Sequence, residues 1–239
     1  MKSERLDKIV ASVLQCGRKE AGKLIRSGEI AVDGIVKKDP SLKIFPDKER
    51  VTLSGKELCF KKNIYIMMNK PAGVVSSTDD GDVTVIDILP EELMRRGLFP
   101  AGRLDKDTTG FVLITDDGDF AHRILSPKSH VDKEYEVMLA EPLEDGAEEK
   151  FGKGLTLGDG YQCLPAQTQC IDGGERLKFK VVLHEGKYHQ IKRMFASCGN
   201  RVVSLHRTAM GGVCLDAALE EGQCRELTAE ELDRIMNRR

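Results

Sequence analysis

The apolar residues of this chain change period near residue 28, and that change restricts what the first sixty residues can become. Leu6, Ile9, Val10, Val13 and Leu14 recur at i, i+3, i+4, i+7 and i+8, one face of a helix. Gly17 interrupts the pattern and is placed as a weak N-cap for a second helix running through Arg26, with Ala21, Leu24 and Ile25 inward. Gly28 is placed to end it. Arg18 opens this helix, and Lys19, Lys23 and Arg26 share its outer face at i, i+4 and i+7. Beyond Gly28 the period drops to two. Ile30-Ala31-Val32, Asp33-Gly34 and Ile35-Val36 make a strong hairpin signal, and Val51-Thr52-Leu53 is a further strand. The segment 1–60 therefore reads as a small αα-β hairpin domain.

Lys61-Lys62-Asn63 is a short polar joint, and 64–239 reads as a second, larger domain. Ile64 to Met68 is a buried strand, broken by Asn69-Lys70-Pro71-Ala72-Gly73. Phe111–Ile114, Tyr135–Leu139 and Leu177–Leu183 are strands. Phe120–Leu125 is a helix stopped by Pro127, and His189–Cys198 is a helix with Gly199 past its end. Thr228 with Glu231 makes a capping box. Glu141 to Glu149 holds five acidic residues and reads as a solvated surface segment. Strands and helices alternate without a regular βαβ beat, so the fold class expected is α+β rather than doubly wound, with a largely antiparallel mixed sheet flanked by helices.

Charge is unevenly divided. Residues 1–62 hold 15 Lys+Arg against 9 Asp+Glu, a net of +6, and the remainder holds 22 against 30, a net of −8. A basic head on an acidic body points to a polyanionic partner for the head. Trp is absent and aromatics are 5%, which argues against a broad base-stacking platform for single strands. No apolar run approaches the roughly 20 residues of a membrane span, so no membrane association is expected. The start, Met1 to Asp7, is charged with no apolar core after it, so no secretory signal is expected. The seven cysteines (16, 59, 163, 170, 198, 214 and 224) are odd in number and include no C-x-x-C pair. A disulfide framework and a zinc knuckle are disfavoured, and a cytoplasmic location is expected. The histidines at 122, 130, 184, 189 and 206 show no metal-ligand spacing with cysteine, so no metal is expected. The absence of a Gly-rich phosphate loop disfavours an NTPase.

The densest unusual string is Gly102-Arg103-Leu104-Asp105-Lys106-Asp107-Thr108-Thr109-Gly110, which runs straight into an apolar strand. Loops beside rigid strands often carry catalytic groups, although a single Asp in a polar loop more commonly caps a turn. The string resembles the Gly-Arg-Leu-Asp-x-x-Thr-x-Gly signature of one superfamily of pseudouridine synthases. Asn69-Lys70-Pro71-Ala72-Gly73, Lys133-Glu134-Tyr135 and the run Glu185-Gly186-Lys187-Tyr188-His189-Gln190-Ile191-Lys192-Arg193-Met194 resemble further segments of that family, in the expected order. Leu205-His206-Arg207 and Met210-Gly211-Gly212 add to the likeness. The first sixty residues resemble the S4 RNA-binding domain through Arg5-Leu6-Asp7-Lys8, Arg18-Lys19-Glu20-Ala21, Leu24-Ile25, Gly28, Val32 and Gly34. Together these features are similar to the RsuA-type branch, whose members act on ribosomal RNA.

The resemblance implies an isomerase that breaks the uracil N1–C1′ bond, turns the base and joins C5 to C1′. No electron and no outside group is transferred, so no cofactor is expected. Asp105 takes the catalytic role, with attack on C1′, attack on the base and removal of a sugar proton all open to it. Lys187 aligns with the basic position that pairs with this Asp, and Arg103 is a second cation, placed to hold RNA where the base has left. Tyr135 would stack on the uracil. His189 reads as structural, and Phe111, Ile114 and Met194 as core or pocket wall. The target base must be extruded from stacked RNA at a cost of a few kcal/mol, which RNA contacts elsewhere must offset. Residues 184–207 supply Lys187, Lys192, Arg193, Arg201 and Arg207 against Glu185. With Arg18, Lys19, Lys23 and Arg26 they are expected to form two RNA-binding surfaces. The expected partner is 16S rRNA or a small-subunit assembly intermediate, met by a monomer. The alternatives are a 23S rRNA synthase, because the motifs overlap, and a non-catalytic S4-type ribosome-assembly factor. A glycosidase shares Asp chemistry at an anomeric carbon but lacks an obvious second carboxylate.

Overall fold

The computed structural model describes residues 3–46, 48–58, 60–79, 81–126 and 131–236. Cys59, Pro127 and His130 of the sequence reading lie outside them. The chain divides into two compact units, Met1–Asn63 and Ile64–Arg239, so the polar joint falls with the first.

In the first unit β1 (Glu4–Arg5) leads into α1 (Leu6–Val13), and α2 (Arg18–Ser27) follows. Gly17 is the extended N-cap of α2 and makes no side-chain bond, and Gly28 closes the helix at φ 86°. The hairpin of β2 (Ile30–Val32) and β3 (Ile35–Val36) pairs Val32 with Ile35. Its turn places Asp33 at φ 50° and Gly34 at φ 78°, the two positive angles that a type I′ turn demands. β4 (Lys43–Ile44) pairs with β1, β5 (Val51–Leu53) with β2, and β6 (Lys56–Glu57) with β5. Leu6, Ile9 and Val10 of α1, Ala21 and Ile25 of α2, and Ile30, Val32 and Val51 of the strands share one core. The helical stripe read from the sequence is thus the face that the short sheet covers.

The second unit comprises β7 (Tyr65–Lys70), β8 (Phe99–Pro100), β9 (Thr109–Thr115), α3 (Gly118–Leu125), β10 (Lys133–Leu139) and α4 (Ala147–Lys153). After these come β11 (Gln167–Cys170), β12 (Lys178–Leu183), α5 (Gln190–Ser197), β13 (Val202–Met210), β14 (Val213–Cys214), β15 (Cys224–Glu226) and α6 (Ala229–Met236). Its sheet runs β11-β12-β10-β13-β9-β7-β15, with β14 on β13 and β8 on β9. Among the described residues the named strands pair antiparallel except β9 with β13. The architecture is α+β, a mixed and mostly antiparallel sheet with helices packed on it.

β7 and β9 read as continuous apolar runs because both faces of the sheet are covered there. Strand alternation sorts their side chains: Ile66, Met68, Val112 and Ile114 enter one core, while Met67, Phe111 and Leu113 enter the other. β10 and β12 instead bury one face. Phe179, Val181 and Leu183 point into the first core, and cross-strand ion pairs Lys178–Glu136 and Lys180–Glu134 occupy the other face.

Two expectations shift. β7 continues through Asn69 and Lys70 and breaks only at Pro71, because Lys70 is fully buried and bonded rather than turned to solvent. The acidic stretch 141–149 is not a plain solvated segment. It leads into α4, whose Ala147 and Phe151 are buried, with the Phe151 ring 5.0 Å from that of Phe195. Glu148 and Glu149 sit in the first turn of α4, where the helix dipole favours negative charge. The capping box forms as read: Thr228 N–H donates to Glu231 Oε2 at 2.8 Å, and Glu231 N–H to Thr228 Oγ1 at 3.2 Å.

Candidate active site

The signature residues lie on the loop between β8 and β9, and three contacts fix its shape. Gly110 has φ 99°, and a Cβ there would meet the Arg207 carbonyl oxygen at 2.3 Å. Only glycine allows β9 to pair so closely with β13, where His206 faces Thr109 and Arg207 faces Gly110. Thr109 Oγ1 lies 2.8 Å from His206 Nδ1. The Lys70 ammonium, beneath the loop, donates to the carbonyls of Thr108 at 2.8 Å, Pro71 at 2.9 Å and Lys106 at 3.3 Å. Burial pulls the Lys70 pKa down to about 8, against the opposing charges of Asp107 and Asp105. From sequence, Lys70 falls in the break after β7's apolar run. A lysine closing an apolar run just before a proline was the signal available.

Beside Asp105 a pocket opens, walled by Leu104, Tyr135, Leu183, Ile191 and Leu205 and rimmed by Arg103, Lys187, His189 and Gln190. The loop before β9, strands β10, β12 and β13, and the start of α5 all contribute. Asp105 is partly open to it, at 27% exposure. Its Oδ2 lies 3.2 Å from Lys192 Nζ and 3.6 Å from His189 Nε2. Lys192 also reaches Asp107 Oδ1 at 2.6 Å. Burial alone would lower the Lys192 pKa, but its bonds to Asp107 and Asp105 outweigh that and hold it above the ordinary value. In return Lys192 holds the Asp107 carboxyl below the usual carboxylate range.

The structure corrects the expected pairing. The cation against Asp105 is Lys192, not Lys187. The chain turns sharply at His189 (φ 49°, ψ 33°) to start α5, and Lys192 in its first turn comes over the loop. Lys187 stays on the approach, its ammonium 5.0 Å from the centroid of the Tyr161 ring. It still lines the pocket, as does Arg103, which is exposed and has no ion pair among the described residues. Tyr135 is 7% exposed and faces Arg207 across the β10–β13 pair. The hydroxyl of Thr108, on the same pocket, is buried and has no partner among the described residues. His189, read as structural, faces Asp105 and belongs to the site.

The second basic surface expected over 184–207 is also corrected. Arg207 is an interior residue, donating from Nε to the Phe111 carbonyl at 2.6 Å. Arg193 is paired with Asp159 at 2.5 Å, and Lys192 is held by two carboxylates. Phe111, Ile114 and Met194 are core. The first unit keeps its basic face: Lys19, Lys23 and Arg26 are exposed and line one groove with Arg5 and Arg18. Asp7, nearly buried, anchors two of these, accepting from Arg5 Nη2 and from Arg18 Nη2, each at 2.9 Å. The Arg5 bond, with Arg18 behind it, holds the Asp7 carboxyl low.

Among the described residues no helix is long and apolar enough to cross a membrane. A family model described as RNA pseudouridylate synthase matches residues 64–197, and one for the S4 domain matches residues 4–49. A Bacillus subtilis protein named as an uncharacterized RNA pseudouridine synthase is 45% identical over 95% of this chain and 96% of its own length. The ribosomal small subunit pseudouridine synthase A of Vibrio cholerae is 45% identical over 97% of this chain and 99% of its own. A crystal structure of a pseudouridylate synthase superposes with a TM-score of 0.68 at 39% identity, covering 97% of this chain and 99% of that one. An S4 domain followed by a sheet whose signature loop frames a carboxylate pocket, with full-length relatives of this kind, places the chain in the RNA pseudouridylate synthase family of isomerases.

Proposed function

We propose that the chain converts one uridine of 16S rRNA, free or in a small-subunit assembly intermediate, to pseudouridine, with Asp105 acting on the nucleotide. The observation that carries this is the setting of Asp105: a carboxylate 3.2 Å from an ammonium, in a pocket walled by Tyr135 and aliphatic side chains. The small-subunit target is supported by relatives such as the Vibrio cholerae protein, named for it.

The reaction breaks N1–C1′, turns the uracil and forms C5–C1′; the C5 proton leaves to water, and the N1 freed from the sugar takes up a proton from water. It balances with no cofactor. An extruded uracil would lie on the face of Tyr135 with its sugar toward Asp105. Covering Asp105 strips water from a carboxylate, and Lys192 offsets that cost because the pair is already made before substrate arrives. Lys187 and Arg103, on the rim, are placed for RNA phosphates. Lys19, Lys23 and Arg26 add sequence-independent phosphate contacts that offset base extrusion. The protein would act in the cytoplasm as a monomer.

The test is tritium release from RNA labelled at uridine C5, offering 16S rRNA, small-subunit particles and 23S rRNA separately. About one equivalent released from the 16S substrate, and lost in Asp105→Asn, is expected. Release from 23S alone would keep the chemistry and overturn the target. Salt-sensitive binding with no release from any RNA would favour the assembly-factor reading.

A further inference from the structure

Tyr188 is the most exposed of the large apolar side chains among the described residues, at 77%. In a chain with so few aromatics, an open phenol ring beside the pocket calls for a physical reason. It is not loosely held. Its ring stacks on that of His189 with centroids 3.8 Å apart and planes at 18°. His189 Nε2 in turn faces Asp105 at 3.6 Å. In the chain Tyr188 lies between Lys187 and His189, both of which line the pocket.

A rigid bracket holds this pair. The Tyr188 carbonyl accepts from Arg193 Nη1 at 3.3 Å, and Arg193 is anchored on Asp159. Lys187 N–H donates to Gln190 Oε1 at 3.0 Å, and Gln190 Nε2 donates to Glu185 Oε1 at 2.7 Å. Glu185 is buried and also accepts from the Tyr161 hydroxyl at 2.6 Å and from Leu164 N–H at 2.9 Å. The two rings are therefore presented in advance, and little ordering is left to be done on binding.

We infer that Tyr188 and His189 form a two-ring stacking platform for a nucleobase beside the pocket, taking the base next to the uridine that is extruded. This rests on the isomerase reading above. When a uridine leaves the stack, its neighbour loses one aromatic face. The open face of Tyr188 replaces it without regard to sequence, because every base offers a π-face. Target choice is then left to other contacts.

The test compares Tyr188→Ala, Tyr188→Phe and Tyr188→Leu for affinity to 16S rRNA, each in an Asp105→Asn background so that binding is not followed by turnover. Tritium release is measured in parallel with Asp105 intact. Exposure of the side chain means that melting temperatures should not move. Tyr188→Ala is expected to weaken binding about tenfold, the scale of one stacked base. Tyr188→Phe should bind like the parent, and Tyr188→Leu, which keeps bulk but has no aromatic face, should behave like Ala. Affinity of Tyr188→Ala within twofold of the parent would overturn the platform, whatever the tritium shows. Leu matching Phe would overturn stacking in favour of mere bulk. No tritium from the protein with Tyr188 and Asp105 intact, together with the tenfold loss in Ala, would sink the isomerase reading and leave the platform standing.

Discussion

On α2, Lys19, Lys23 and Arg26 stand exposed with no ion pair among the described residues, whereas Lys192 is held between Asp105, which lines the pocket, and Asp107. The same residue types serve two purposes. Free cations on a helix face collect phosphates, and each contact releases counterions, so their effect is additive and fades with salt. A cation fixed between two carboxylates attracts little from solution. It sets the local field in which a buried reaction takes place. Counting charges along the chain cannot separate these cases, because the difference lies in what each ammonium already touches.

The sharpest way to break this contrast is Asp105→Asn. Turnover should fall at least about 10³-fold while RNA affinity stays within a few-fold, the outcome expected if α2 supplies the phosphate contacts. Single-turnover tritium release beside a filter-binding curve decides it, and parallel losses in both would mean that Asp105 works mainly in binding. Gly110→Ala comes next. Its methyl would collide with the Arg207 backbone at a positive φ, and unfolding free energy should drop by about 2–4 kcal/mol, read as a shift in the urea midpoint. Lys192→Met should reduce kcat about 10- to 100-fold with a much smaller change in KM, as expected of a field rather than a handle. A KM effect alone would make Lys192 an RNA contact like those of α2.

Replacing Lys19, Lys23 and Arg26 together with Gln should do the reverse. The slope of log affinity against log salt should fall by about 2 to 3, with kcat at saturating RNA preserved. An unchanged slope would remove α2 from the interface. The smallest effect concerns pH. Burial holds Lys70 and Lys133 of the second unit at about 8, against about 10.4 in an unfolded chain. Between these values the unfolded state binds more protons, so this unit gains stability as pH rises from about 8 to about 10. Asp7 of the first unit is held low instead, so its contribution is present above about pH 4 and is lost as pH falls through its folded value. Urea midpoints of the full chain at about pH 7.5 and 9.5 check the lysines, and a midpoint that falls across that range contradicts their burial.

Much of this was legible in residue order. Period alone located α1, α2 and the Asp33-Gly34 hairpin, because each depends on neighbours within a few positions. The loop 102–110 stood out for the same local reason. The errors share a different cause. Lys70 and Arg207 carry charge and so read as loop or surface, yet both are buried on strands, where the Lys70 ammonium donates to three backbone carbonyls and Arg207 donates from Nε to that of Phe111 while its Nη2 has no partner among the described residues. Choosing between Lys187 and Lys192 required the left-handed turn at His189, a non-glycine residue that carries no local mark of such a conformation. α4 was missed because charge count in 141–149 masked Ala147 and Phe151.

The three carbonyls gathered by the Lys70 ammonium carry a consequence for protein engineering. The signature segment does not hold its own outline, since a side chain from another strand sets the path of its backbone through Lys106 and Thr108. Transplanting residues 102–110 onto a foreign scaffold would carry the carboxylate without its mould. A portable version would have to bring β7, the parallel seam with β13 and the buried lysine as one piece.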